Sequence, residues 1–163
     1  MSHFLTQEEL ATIGSVVVES ANLEYAVEIF ICRLLNLTPR HRTTFLARGM
    51  FDGKLQTLEN VAQMQLADKE ECLAQLKTLI SEMKANNSER TLVVHGIWIN
   101  IDASGSSGLL SLKWLDEPMA EKVVKPIGDP RTLTMTKARA LVEKLKVSQN
   151  SLMAMYAKIW PTR

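Results

Sequence analysis

Long stretches of helical periodicity constrain this chain more than any other feature. The first begins at a capping box, Thr6-Gln7-Glu8-Glu9, in which Thr6 and Glu9 can each bond the other's backbone amide. Apolar residues then recur every three or four positions to about residue 35, which predicts one long helix. These apolar residues are Leu10, Ile13, Val17, Ala21, Val27, Ile31 and Leu34.

Four more segments carry helical signals. Thr38-Pro39 is typical of an N-cap followed by a first-turn proline, and Asp68-Lys69-Glu70-Glu71 is a second capping box. Asn86-Asn87 is expected to interrupt the helix that this box opens, because short amides compete for backbone hydrogen bonds. The four predicted helices cover about residues 38–49, 53–66, 68–95 and 134–160.

A change of period after Gly96 predicts a small β-hairpin. Residues 97–101 alternate loosely, residues 103–108 supply serine and glycine for a turn, and residues 109–115 follow as a second strand. Trp98 and Trp114 would then form a cross-strand pair that packs on the helices, or would stack nucleic-acid bases. We therefore predict an all-α fold, a bundle of four to five helices with a β-hairpin insertion, in one domain spanning residues 1–163.

The composition is that of an ordinary soluble domain and limits the expected partners. Net charge is only +1, so any capture of nucleic acid must be local. The N-terminus lacks a signal-peptide pattern, and no apolar run approaches the roughly 20 residues that span a bilayer. Cys32 and Cys72 have no metal or disulfide spacing, so we expect buried free thiols. The sequence predicts a cytoplasmic protein that needs no metal or cofactor and does not enter a membrane.

One segment is locally basic. No acid lies between Glu28 and Asp52, while four arginines and His41 do. Such a patch can attract an RNA backbone, although a solvated short helix explains it equally well. The four arginines are Arg33, Arg40, Arg42 and Arg48.

The chemistry is concentrated in residues 89–98, where Arg90 precedes His95 by five positions. Arginine binds phosphate oxygens through a planar fork, and histidine transfers protons near neutral pH. Residues five apart on an ideal helix differ by roughly 140° and about 7.5 Å. They converge only if the helix ends or bends, if the arginine curls round, or if a second subunit completes the site. The structural alternative makes His95-Gly96 a helix end and pairs Arg90 with Glu24.

The spacing Arg-x-x-x-x-His, followed by glycine and an aromatic residue, resembles the signature of the HEPN family. Residues 21–26, which contain Glu24, and residues 51–58, which contain Lys54, resemble two further helical elements of that family. The resemblance covers about residues 10–160. The family usually has asparagine directly after the arginine, whereas this chain has Thr91, which keeps a hydroxyl but lacks the amide donors.

The resemblance implies a metal-independent endoribonuclease of the toxin or defence type. His95 would take the proton of a ribose 2′-hydroxyl, and Arg90 would hold the phosphate. The alternative is a non-catalytic, dimeric HEPN-like binding or assembly module. Candidate partners are a second copy, RNA, and an antitoxin or a nucleotidyltransferase. Residues expected to bind substrate or support the site are Glu24, Lys54, Asn87 and Thr91.

Two of these supporting residues also have structural interpretations. Glu24 would form a buried salt bridge that orders two helices, and Lys54 would be a solvated lysine at a helix start. Dimerisation is predicted separately. The first helix has a second apolar line beside the main one, and a bundle this small is not expected to cover both, which leaves apolar surface for a partner. That interface would include the helix carrying Arg90. The second line consists of Val16, Leu23 and Phe30.

Overall fold

The computed structural model describes residues 5–46, 49–95, 97–100, 107–110 and 134–161. These residues form five helices and two short strands, which confirms the all-α class. None of the helices in this part of the chain is long and apolar enough to cross a membrane. The helices are α1 (Gln7–Leu34), α2 (Pro39–Phe45), α3 (Phe51–Gln65), α4 (Glu70–His95) and α5 (Met135–Ile159). The strands are β1 (Ile97–Asn100) and β2 (Ser107–Leu110).

The start of α1 follows the predicted capping box. The Thr6 amide donates to Glu9 Oε2 at 2.7 Å, and the Glu9 amide donates to Thr6 Oγ1 at 3.2 Å. The helix then continues for 28 residues. Pro39 is the first residue of α2, as its position after Thr38 predicts.

The two strands pair in an antiparallel register. Ile97 lies opposite Leu110, and Trp98 lies opposite Leu109. β2 begins two residues earlier than the predicted second strand, at Ser107. Residues 101–106 and Trp114 lie outside the described residues, so the predicted hairpin turn and tryptophan pair stay predictions.

The chain groups into two compact units. The first unit comprises the described residues within Met1–Val18 and Ser88–Glu143, and the second those within Glu19–Asn87 and Lys144–Arg163. Helices α1, α4 and α5 contribute residues to both. Buried residues of the first unit include Val16, Val93, Ala138 and Leu141. Those of the second unit include Phe30, Leu55, Leu58, Ile80, Met83, Leu145 and Leu152.

Helix α1 buries the second apolar line and also the C-terminal part of the first, where Val27, Ile31 and Leu34 are buried. Val16, Leu23 and Phe30 are completely buried, whereas Leu10 is 56% exposed and Val17 is 46% exposed. The N-terminal part of the first line is thus the part left uncovered, and the dimer that this surface was expected to form stays a prediction. Periodicity reveals two apolar lines on a helix but cannot say which one the core will cover.

Helix α4 runs without a break through Asn86 and Asn87, so the predicted interruption is wrong. Asn86 Nδ2 donates to Ser148 Oγ on α5 at 3.3 Å, and Asn87 Nδ2 donates to Asp52 Oδ1 on α3 at 2.8 Å. Because each side-chain amide donates to another helix, neither competes with the α4 backbone. Buried amides here join helices rather than ending one.

Candidate functional site

The last turns of α4 carry the three residues of the predicted catalytic segment. Arg90 is half-buried, while Thr91 and His95 are exposed. His95 is the final residue of α4. All three residues belong to the first unit.

The continuity of α4 restricts how Arg90 and His95 can meet. No helix end separates them, since α4 continues to His95. Their side chains therefore leave the helix in directions roughly 140° apart, with about 7.5 Å between them along the axis. One phosphate can contact both only if the arginine curls round the helix or if a second copy brings its own α4.

The side chains of Arg90 and His95 have no hydrogen bond or ion pair within the described residues. A guanidinium has five N–H donors and a permanent charge, so Arg90 retains capacity to bind an anion. Neither ring nitrogen of His95 is bonded to another residue in the described part of the chain. The ion pair between Arg90 and Glu24, expected from the structural interpretation, is not among the described contacts.

Glu24 instead belongs to a group of four ionised residues in the second unit, which we call the charged cluster. Helix α1 supplies Glu24 and Glu28, α2 supplies Arg42, and α3 supplies Lys54. Lys54 Nζ donates to Glu24 and also to Glu28 Oε1, the latter at 2.6 Å. Arg42 Nη1 donates to Glu28 Oε2 at 2.5 Å. Two carboxylates and two cations thus neutralise one another where three helices meet.

Burial makes the charged cluster a structural element. The side chain of Lys54 is only 3% exposed and that of Glu28 only 6%. Burial acts to lower the pKa of Lys54, but the hydrogen bonds and charges of Glu24 and Glu28 outweigh it, and the pKa is raised. The expectation of a solvated lysine is therefore wrong, because Lys54 lies inside the helix packing. A supporting role at the catalytic site stays a prediction.

Sequence reasoning found part of this cluster. Glu24 does form a salt bridge, with Lys54 as its partner, but only the Lys54 side of the pair is buried, because the Glu24 side chain is 31% exposed. Glu28 and Arg42 were not singled out as site residues. A signal for Glu28 was present, because it lies four positions after Glu24 and so on the same side of α1. Lys54 binds both of these carboxylates.

The basic segment does not present all its charge to solvent. Arg42 is bound to Glu28, and its guanidinium also lies 4.8 Å from the ring centre of Tyr25. Arg33 lies 5.7 Å from the ring centre of Trp160. Arg40 and His41 are exposed, while Arg48 lies outside the described residues.

Neither cysteine forms a disulfide. Cys32 is buried as expected, whereas Cys72 is only half-buried. Burial raises the pKa of the Cys32 thiol, Arg42 acts to lower it, and Glu28 raises it further. Within the described ranges, no group of three or more His, Cys, Asp or Glu residues is placed to hold a metal ion.

An open cavity of about 450 Å³ lies between α4 and α5 in the second unit. Leu79 and Met155 are the buried residues of its lining, and Glu82 and Lys158 are charged residues there. None of the predicted site residues lines this cavity. The cavity therefore shares no residue with the segment that carries Arg90 and His95.

Comparison with known proteins adds no assignment. No protein-family model matches the chain, and no curated protein or solved structure matches it either.

Proposed function

We propose that this protein is a HEPN-like, metal-independent endoribonuclease that works as a homodimer. The observation that carries the proposal is where Arg90 and His95 lie and that neither has a described side-chain partner. Both lie in the last turns of α4, both reach solvent, and neither side chain is bonded to another described residue. A permanent cation and a proton acceptor kept available five residues apart suit the cleavage of a phosphodiester.

In the proposed reaction His95 is the general base. It takes the proton of the ribose 2′-hydroxyl, and the 2′-oxygen attacks the adjacent phosphorus. The bond from phosphorus to the 5′-oxygen breaks, and that oxygen leaves as a hydroxyl after protonation from water. Arg90 binds the non-bridging oxygens and stabilises their increased charge in the transition state. The products are a 2′,3′-cyclic phosphate and a 5′-hydroxyl end.

A second copy would complete the site. Because α4 is continuous between the two residues, one copy offers Arg90 and His95 in divergent directions. In a two-fold dimer, Arg90 of one copy and the partner's His95 would face the same phosphate. Such a pairing relieves the geometric conflict without requiring the helix to unwind.

Four residues complete the proposal as supporting groups. Thr91 is exposed directly after Arg90 and would lie beside the substrate, and Asn87 lies nearly one turn before Arg90. Glu24 and Lys54 would act at a distance, through the packing of α1 and α3. We place the enzyme in the cytoplasm as a toxin or defence protein, with an antitoxin or a nucleotidyltransferase as partner.

The non-catalytic binding module is the second candidate. The observation that favours it is Thr91, which stands where the family usually has asparagine. In that case Arg90 would bind a partner's anionic group and nothing would be cleaved. Exchanging Thr91 for asparagine would then leave the protein inactive.

The chemistry is tested by incubating purified protein with structured and unstructured RNA in the presence of EDTA. Cleavage with cyclic phosphate ends is expected, and a DNA strand of the same sequence should survive because it lacks the 2′-hydroxyl. Loss of a positioned general base costs about 10²–10⁴-fold in rate, so His95→Ala should cut RNA at least about 10²-fold more slowly than the parent.

Arg90→Lys keeps the charge but loses the bidentate fork, and should be strongly impaired. The matched control is Arg139→Lys, the same exchange at an exposed arginine of the first unit, which should cut as the parent does. Absence of cleavage across varied RNAs, or an active His95→Ala variant, would refute the ribonuclease and leave the binding module.

A further inference from the structure

Two arginine–aromatic pairs lie along the C-terminal half of α1 in the second unit. The Arg42 guanidinium lies 4.8 Å from the centre of the Tyr25 ring, and the Arg33 guanidinium lies 5.7 Å from that of Trp160. Tyr25 and Arg33 are eight positions apart on α1, so they lie on one ridge of the helix, separated by about 12 Å along its axis. Aromatic rings interleaved with guanidinium groups are typical of surfaces that bind single-stranded nucleic acid.

Tyr25 is held in place even though it is 54% exposed. Arg42 lies over its ring, and Arg42 is itself fixed by the buried carboxylate of Glu28, to which Nη1 donates at 2.5 Å. These contacts orient an aromatic ring that the core does not cover. A ring whose orientation is fixed beforehand loses less conformational entropy when a flat base stacks on it.

The charges around these two pairs favour an anionic ligand. Residues 20–54 contain five arginines and lysines and three acids, a net charge of +2, whereas the rest of the chain carries −1. Both acids that α1 contributes to this range belong to the charged cluster and are bound to its cations. Arg33 and Arg40 are exposed, and neither guanidinium has a hydrogen bond or ion pair to another described residue. Their charges are therefore available to bind phosphates.

We propose that Tyr25, Arg33 and Arg40, which we call the RNA surface, bind single-stranded RNA. Arg33 lies in the last turn of α1 and Arg40 in the first turn of α2, so both flank the connection between these helices. The two arginines bind phosphates, Trp160 orients Arg33, and a base stacks on Tyr25. The RNA surface takes its ligand from the proposed function, but it uses none of the residues that carry the cleavage chemistry.

The exposed ring favours a single strand over other polyanions. The bases of a duplex are already stacked on each other, so a duplex cannot offer one to Tyr25, whereas an unpaired base can be splayed out and stacked on an aromatic side chain. An anionic membrane is recognised by clusters of about four to eight lysines and arginines. Two available arginines beside an oriented aromatic ring fit a short single strand better.

Fluorescence anisotropy with a labelled 2′-O-methyl oligouridine tests the RNA surface, because this strand keeps its phosphates and bases but cannot be cleaved through its 2′-oxygen. On a single strand, each phosphate contact contributes about 0.7 to the slope of log affinity against log salt. Arg33→Gln and Arg40→Gln should each weaken binding and reduce that slope by about 0.7. Lys77→Gln, which removes an exposed cation of the second unit on α4, is the matched control and should bind as the parent does.

Substitution of Tyr25 tests the base stack separately from the charges. Tyr25→Leu should weaken binding about 5- to 150-fold, the effect of losing one base stack, and should leave the salt slope unchanged. Tyr25→Phe keeps the ring and should bind as the parent does. Circular dichroism should show that both variants fold normally, since Tyr25 is exposed.

A parent that does not bind the strand, equal losses in Arg33→Gln and Lys77→Gln, or equal affinities of Tyr25→Leu and Tyr25→Phe would each overturn the RNA surface. Tighter binding to duplex RNA or to vesicles containing phosphatidylserine would overturn it too, and would assign the arginines to another polyanion.

The binding and cleavage proposals fail separately. A parent that binds the 2′-O-methyl strand but cuts no RNA would count against the proposed chemistry alone. A parent that cuts RNA, with an Arg33→Gln variant that binds the strand equally well, would count against the RNA surface alone.

Discussion

The charged cluster and the end of α4 use ionisable residues in opposite ways. In the charged cluster, Glu28 and Lys54 are almost completely buried and each is bound to oppositely charged neighbours. At the end of α4, Arg90 and His95 reach solvent and have no side-chain partner within the described residues. A buried charge without a partner is strongly destabilising, so the first group must be satisfied internally. Arg90 and His95, which reach solvent, need no such internal partner and can bind a ligand.

The comparison shows why a charged residue on a predicted helix is weak evidence for function by itself. Lys54 and Arg90 are both cations on helices, yet one contributes to packing and the other is available for binding. What separates them is the nearest acid: Lys54 lies between two carboxylates of α1. Substitutions should therefore lower stability in one region and activity in the other.

The largest stability effect is expected from Lys54→Met. It leaves Glu24 without its partner and Glu28 with Arg42 alone, and breaking a buried ion pair costs about 3–5 kcal/mol. Lys158→Met is the matched control, because Lys158 is 54% exposed in its pair with Glu71 and should contribute at most about 1 kcal/mol. Urea unfolding measures both, and equal losses would contradict the structural role of the charged cluster.

A smaller effect should appear at alkaline pH. The pKa of Lys54 is raised in the folded protein, so its contribution to stability is complete below the unfolded pKa of about 10.4. That contribution is lost as pH rises through the folded pKa. The difference in unfolding free energy between the parent and Lys54→Met should be constant near neutrality and shrink above about pH 10. An unchanged difference in strongly alkaline urea titrations would show that the ammonium group contributes nothing.

The smallest stability effect is expected at the end of α4. Arg90→Ala and His95→Ala remove side chains without described partners, so each should change the unfolding free energy by no more than about 0.5 kcal/mol. Thermal melts beside the Lys54→Met variant would measure the contrast. A large loss from Arg90→Ala would mean that this arginine stabilises the fold, which would remove the main support for a ligand-binding role.

The sequence predicts the helices well because caps and periodicity are local properties. The box at Thr6, the proline start of α2 and the long α4 all follow from residues a few positions apart. The predicted break at Asn86 and Asn87 fails because Ser148 and Asp52, which accept from their amides, are 62 and 35 positions away. No local pattern contains that information.

The contacts of the candidate site residues are harder to predict from sequence for the same reason. Arg90 and His95 are identified by their chemistry and spacing, but the partner of Glu24 is decided by α3 packing against α1. Tertiary packing likewise decides which apolar residues of α1 are exposed. Leu10 and Val16 are both apolar in sequence, yet Leu10 is exposed and Val16 is buried. Family resemblance supplies roles for residues, while contacts decide which charges remain available.

The rate at which the buried thiol of Cys32 reacts with a thiol reagent would report local opening of the protein. Because burial raises its pKa and shields its sulfur, Cys32 reacts with a thiol reagent only during excursions that expose the α1 segment next to Arg42 and Glu28. Cys72, which is half-buried, provides the faster reference reaction in the same tube. The ratio of the two labelling rates therefore follows the opening equilibrium of one helix without any added probe.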